Sequence, residues 1–139
     1  MPADRKAITL YGLQHALAAA AVAVELSTPI ILLSAPAAVS SAGPAWFQSV
    51  IQQTRDAHPD ADIEAVLDCA GFSGHALASL RQGLKTIIYD GTANEAVDDI
   101  AAQFDATVLR ERPDSLDVRL AGTNGSVSDA LRDWLKNTL

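Results

Sequence analysis

Hydrophobic positions along this chain fall into two kinds of run, and the two kinds alternate. Lys6-Ala7-Ile8-Thr9-Leu10-Tyr11 alternates polar and apolar and is rich in strand-forming residues, and Gly12 breaks it. An alanine-rich run with helical length follows at 13–26. Residues 29–34, Pro-Ile-Ile-Leu-Leu-Ser, are continuously apolar but too short for a helix, which predicts a strand buried on both faces. A small-residue loop at 35–43 leads to Pro44, which suits the first turn of a helix running to 57. His58-Pro59-Asp60 ends it.

The same alternation continues. A third strand is expected at 63–69, a short helix at 74–82 closed by Gly83 in the left-handed conformation, and a fourth strand at 86–89. Thr92 and Glu95 have capping-box spacing ahead of a helix at 93–104. A fifth strand is expected at 107–110 and a sixth at 116–120. A turn at 122–125 then precedes a last helix at 127–137, capped by Ser126 or Ser128.

Strand and helix in alternation, with short links, predict an α/β fold: a three-layer α/β/α arrangement around a mostly parallel sheet of five or six strands. The doubly wound, flavodoxin-like strand order 2-1-3-4-5 is favoured, and a half-barrel is the rival. The 139 residues are the size of one domain, 1–139, able to bury roughly two-thirds of the unfolded surface. With 5% aromatics, aliphatic side chains must fill the core.

Charge then narrows the partners. A formal charge of −7, with the basic residues scattered, argues against a phosphate-tracking grip on nucleic acid and against a polybasic hold on a membrane. One cysteine allows neither an internal disulfide nor a multi-cysteine zinc cluster, and suits a reducing cytoplasm. Asp4-Arg5-Lys6, the run 16–24 and Ser34-Ala35-Pro36-Ala37 loosely resemble a secretory leader, but a strand ahead of the run is expected instead. Glu25, Ser27, Thr28 and Pro29 interrupt that run, so a membrane span is not expected.

Chemistry-bearing residues concentrate at expected strand ends. Leu67-Asp68-Cys69-Ala70-Gly71-Phe72-Ser73-Gly74-His75 approaches two catalytic signatures. Gly71 and Ser73 begin a nucleophile elbow, but His75 replaces its second glycine, and His75 also stands where a cysteine-dependent phosphatase loop needs arginine. The simpler reading makes Ser73 a helix cap, Asp68 a loop-amide acceptor and Cys69 a small buried hydrophobe. In a 2-1-3-4-5 sheet the loops after strands one and three flank the ligand crevice, which brings His15, Asp68 and His75 together as candidate catalytic residues, with a histidine as general base or metal ligand. Ser34, Ser41, Gly43, Trp46, Ser73 and Asp90 are candidate ligand-binding residues, and the loop before the second helix suits a phosphate or carboxylate.

No glycine-rich dinucleotide fingerprint, Walker lysine motif or acidic pair after the first strand is present. The expectation is a cytoplasmic small-molecule-binding or protein-interaction module, the alternative a small lyase, isomerase or hydrolase using His15, Asp68 and His75. No cofactor is indicated. The helix 13–26 has no charge between His15 and Glu25, so it is expected to be covered on more than one side, with a strip at Ala18, Ala21 and Val22 packing against a second copy in a homodimer.

Overall fold

The computed structural model describes residues 5–38, 42–121 and 126–136. Ser41 and the turn expected at 122–125 lie outside the described residues. Among the described residues the elements follow in the order β1 (Lys6–Leu10), α1 (Leu13–Leu26), β2 (Ile30–Ser34), α2 (Gly43–Ala57), β3 (Ile63–Asp68), α3 (Ser73–Arg81), β4 (Thr86–Ile88), α4 (Asn94–Gln103), β5 (Thr107–Leu109), β6 (Ser115–Asp117), α5 (Val118–Ala121) and α6 (Val127–Lys136). The sheet is six-stranded and parallel, in keeping with the three-layer α/β/α class.

Strand order corrects the expectation of 2-1-3-4-5. The sheet runs β5-β4-β3-β2-β1-β6, so β2 stands between β1 and β3, and the order reverses only where β6 joins the outer side of β1. The first five strands are laid down side by side, as short connections favour. Nothing in their hydrophobic pattern distinguishes that course from one reversing after β2, because a buried strand reads alike in any central position.

The chain divides into two compact units, residues 1–33, 50–64 and 114–139 in the first and 34–49 and 65–113 in the second. In the first unit β1 pairs with β6 in the register Ala7↔Ser115, Ile8↔Leu116 and Thr9↔Asp117, and the Thr9 and Ser115 hydroxyls lie 2.6 Å apart. Helix α1 buries Ala16, Ala19, Ala20, Val22 and Ala23 and packs beside α6, which buries Leu131 and Leu135. Arg132 of α6 fastens the pair by donating to both Glu25 oxygens, at 2.7 and 3.1 Å. Trp134 Nε1 donates to the Ala7 carbonyl at 3.0 Å. Ser126 caps α6, its Oγ accepting the Asp129 N–H.

The expected sixth strand at 116–120 is shorter than its pattern suggests. Asp117 Oδ1 accepts the N–H groups of Arg119 and Leu120, at 3.0 and 3.4 Å, and this bends the chain into α5. The strip expected to face outward on α1 is also corrected at one residue. Ala21 is exposed and Ala18 half-buried, but Val22 is buried, and Val24 takes its place on the outside.

In the second unit β4 pairs with β3 (Leu67↔Ile87, Asp68↔Ile88) and with β5 (Thr86↔Thr107 to Ile88↔Leu109). Val66, Leu67, Ile87, Ile88 and Tyr89 are buried. Gly83, at φ +103°, closes α3: the Leu84 N–H reaches the Ser79 carbonyl and the Gly83 N–H that of Leu80, satisfying two helix-end acceptors. The capping box expected at Thr92 and Glu95 is replaced by another device. Helix α4 has Ala93 at its cap position without a side-chain cap bond, and the buried Tyr89 hydroxyl accepts the Ala93 N–H at 2.8 Å. A Cβ on Gly91 would fall 2.5 Å from that hydroxyl, so only glycine fits beneath the ring.

Candidate functional site

The carboxyl ends of β2, β3 and β4 carry the second unit's polar groups. Asp68, the last residue of β3, is buried, and both its oxygens are engaged. Oδ1 accepts the Ala70 N–H at 2.8 Å, which helps hold Ala70 at φ +49°, and Oδ2 accepts from Arg112 Nη1 at 2.7 Å. The same Arg112 nitrogen donates to the Ser34 carbonyl at 3.0 Å, while Ser34 Oγ accepts the Asp68 N–H at 2.9 Å. Ser34 is therefore a buried strut between neighbouring strand ends. Arg112 has no signal in the sequence, since an arginine in a connecting loop gives no hint of the carboxylate it will reach 44 residues away.

Cys69 is buried, its sulfur 3.8 Å from Ser79 Oγ. Desolvation, reinforced by the Asp68 charge and opposed by the Ser79 contact, pushes the thiol up to about 11. The neutral thiol is the form present near neutrality, a poor nucleophile. Ser73 is the first residue of α3 rather than its cap, which is Phe72, and no side-chain cap bond forms. The loop places serine one residue too late for that role. His75 is exposed with its ring edge-on to Phe72, centroids 5.8 Å apart, and Phe72 itself is 46% exposed. Asp90 is exposed, and its N–H donates to the Ala70 carbonyl, tying the β3–α3 and β4–α4 turns together. Gly43 opens α2 at φ +82°, and Trp46 is half-buried in that helix's first turn.

His15 belongs to the first unit and Asp68 and His75 to the second. Neither Asp68 oxygen bonds to a histidine. His15 Nδ1 accepts the Tyr11 N–H at 3.1 Å, so the proton of a neutral ring sits on Nε2 and the ring is a donor there. Among the described residues no three of His, Cys, Asp and Glu stand close enough together to hold a metal ion.

Ligands of open parallel sheets bind outside the carboxyl ends of the strands where strand order reverses. In this sheet that place is β1 beside β6, within the first unit. A built arrangement stands there. Tyr11 Oη donates to Asp117 Oδ2 at 2.5 Å, and His15 packs edge-on to the Tyr11 ring, centroids 6.0 Å apart. The Arg119 guanidinium lies over that ring, 4.1 Å from its centroid. Asp117 thus holds the phenol with one oxygen and the start of α5 with the other. Its second bond fixes the backbone from which Arg119 reaches.

Tyr11, Asp117 and Arg119 were not legible as a group. Tyr11 reads as the end of a strand, and the other two lie in a segment whose pairing partner the sequence does not reveal. Comparison of the chain with protein-family models gives no match, and none of the curated proteins matches it.

Proposed function

We propose that the protein is a small-molecule-binding module that takes a small anionic ligand, a carboxylate or phosphate, at the carboxyl ends of β1 and β6. One observation carries this reading. The Arg119 guanidinium lies over the Tyr11 ring, and among the described residues it has no hydrogen-bond acceptor or ion-pair partner. A guanidinium held over a ring without an acceptor of its own keeps N–H donors for a carboxylate or phosphate, which arginine binds in two-point fashion. The neighbouring start of α1 supports it: Gly12 gives no side-chain cap, the first turn has no acid, and a Cβ on Gly12 would meet nothing within 4 Å.

A lyase, isomerase or hydrolase acting through His15, Asp68 and His75 draws less support, because Asp68 is committed to Arg112 and His15 Nδ1 to the Tyr11 amide. Protein association is the second part of the proposal. The uncharged outer strip of α1, Ala18, Ala21 and Val24, suits close packing against a second copy in a homodimer. Among the described residues no helix is long and apolar enough to cross a membrane. A cytoplasmic setting is proposed on the single buried, unpaired thiol.

The test is an NMR titration of the amide spectrum with inorganic phosphate and with acetate, at constant ionic strength. Saturable shifts are expected at Leu13, Gln14 and Arg119, with affinity weakened roughly tenfold or more in Arg119→Ala, the worth of a charge-assisted bond. Identical titrations of wild type and variant would remove the reading.

A further inference from the structure

The Arg112 contact has the form of a ligand in its site. Asp68 carries a carboxylate only 6% exposed, and the Ser34 carbonyl beside it comes from the end of the neighbouring strand. These two acceptors converge on one nitrogen, at 2.7 and 3.0 Å. The acceptors are themselves fixed: Asp68 Oδ1 by the Ala70 N–H, and the two strand ends to each other by the Asp68 N–H to Ser34 Oγ bond. The cation between them is less enclosed than they are, the Arg112 side chain being 26% exposed. It arrives from the irregular segment after β5, where the other arginine, Arg110, is tied to the exposed Asp98, an ion pair that solvent screens.

We propose that Ser34 and Asp68 form a guanidinium-recognition site which the chain's own Arg112 occupies, so that the segment after β5 is a strap that a competing guanidinium-bearing ligand displaces. The acceptors define the ligand class. A buried carboxylate next to a carbonyl takes a cation with N–H donors, here a guanidinium, and rejects an uncharged amide of the same shape, which leaves the carboxylate without a counter-charge. This inference is independent of the anion site at β1 and β6.

The experiment uses methylguanidine as the probe, with urea at the same millimolar concentrations as the uncharged analogue and sodium chloride to hold ionic strength. In the wild type, arginine side-chain NMR is expected to show the Arg112 Nε–H signal moving saturably with methylguanidine and not with urea. In Arg112→Ala, methylguanidine is expected to raise Tm saturably, as a ligand bound only by the folded state must, or to restore folding if the variant is unfolded alone. Asp68→Asn combined with Arg112→Ala is expected to show no such rescue. An unmoved Arg112 signal in the wild type overturns the strap. Rescue that is absent, or equal with urea or in the double variant, overturns the site.

Discussion

Cys69 lies just past the end of β3 with its thiol removed from water, and desolvation is the main reason its pKa rises to about 11. The sign of the linked stability follows. An unfolded thiol titrates near its ordinary value of 9.0, so between there and about 11 the unfolded chain has lost a proton that the folded chain keeps. The contribution is fully present below pH 9 and declines as pH rises through that window. Its size is on the order of 2 kcal/mol. Denaturation of wild type and Cys69→Ser at pH 8 and pH 10.5 is expected to show the wild type losing more stability, while Cys69→Ser keeps ligand binding. Equal losses would mean the thiol titrates normally. Cys69 as a buried group was legible as a small hydrophobe at the end of an expected strand; the expected cap at Ser73 falls instead at Phe72, because capping depends on which residue leaves the extended conformation last.

At the scale of elements, α1 and α3 end in the same way with different residues. The Thr28 N–H reaches the Ala23 carbonyl and the Ser27 N–H that of Val24, which is the arrangement Gly83 completes after α3. In α1 the left-handed residue is Ser27, at φ +51°. A Cβ in that region strains the backbone, whereas glycine adopts it freely, at an entropic cost in the unfolded chain. Ser27→Gly is therefore expected to stabilise the protein by about 0.5–1 kcal/mol, read as a higher urea midpoint at unchanged slope. A lower midpoint would show that the serine hydroxyl contributes more than the strain costs. Gly83 announced its helix end in the sequence, and Ser27 did not.

For the molecule as a whole, the dimer proposed through α1 turns on a small patch. Glu25 is satisfied by Arg132 of α6, so the outer face of α1 has no charge seeking water between Ala18 and Val24. Wild type is expected to sediment as a dimer at about 100 μM, and Ala21→Glu as a folded monomer, since a carboxylate at an exposed position costs the monomer little and the interface a buried charge. A wild-type monomer at that concentration would sink the dimer. The charge-free stretch was legible in the sequence; that Val22 turns inward and Val24 outward depended on where α6 packs.

The sequence by itself determined the parts. Strand and helix identities follow from local periodicity and chain punctuation, so the parallel α/β class, the fully buried β2 and a serine cap for the last helix, at Ser126 or Ser128, were set before any strand had a neighbour. Tertiary structure decided what stands beside what. Strand order moved the reversal to β1 and β6, setting Arg119 on Tyr11 and leaving the expected meeting of loops after β1 and β3 without its basis. Likewise Arg112 found Asp68, and Tyr89 took over the capping of α4 from Thr92. Periodicity reports whether a face is buried and not what buries it, so long-range partners leave little mark on the residues that meet.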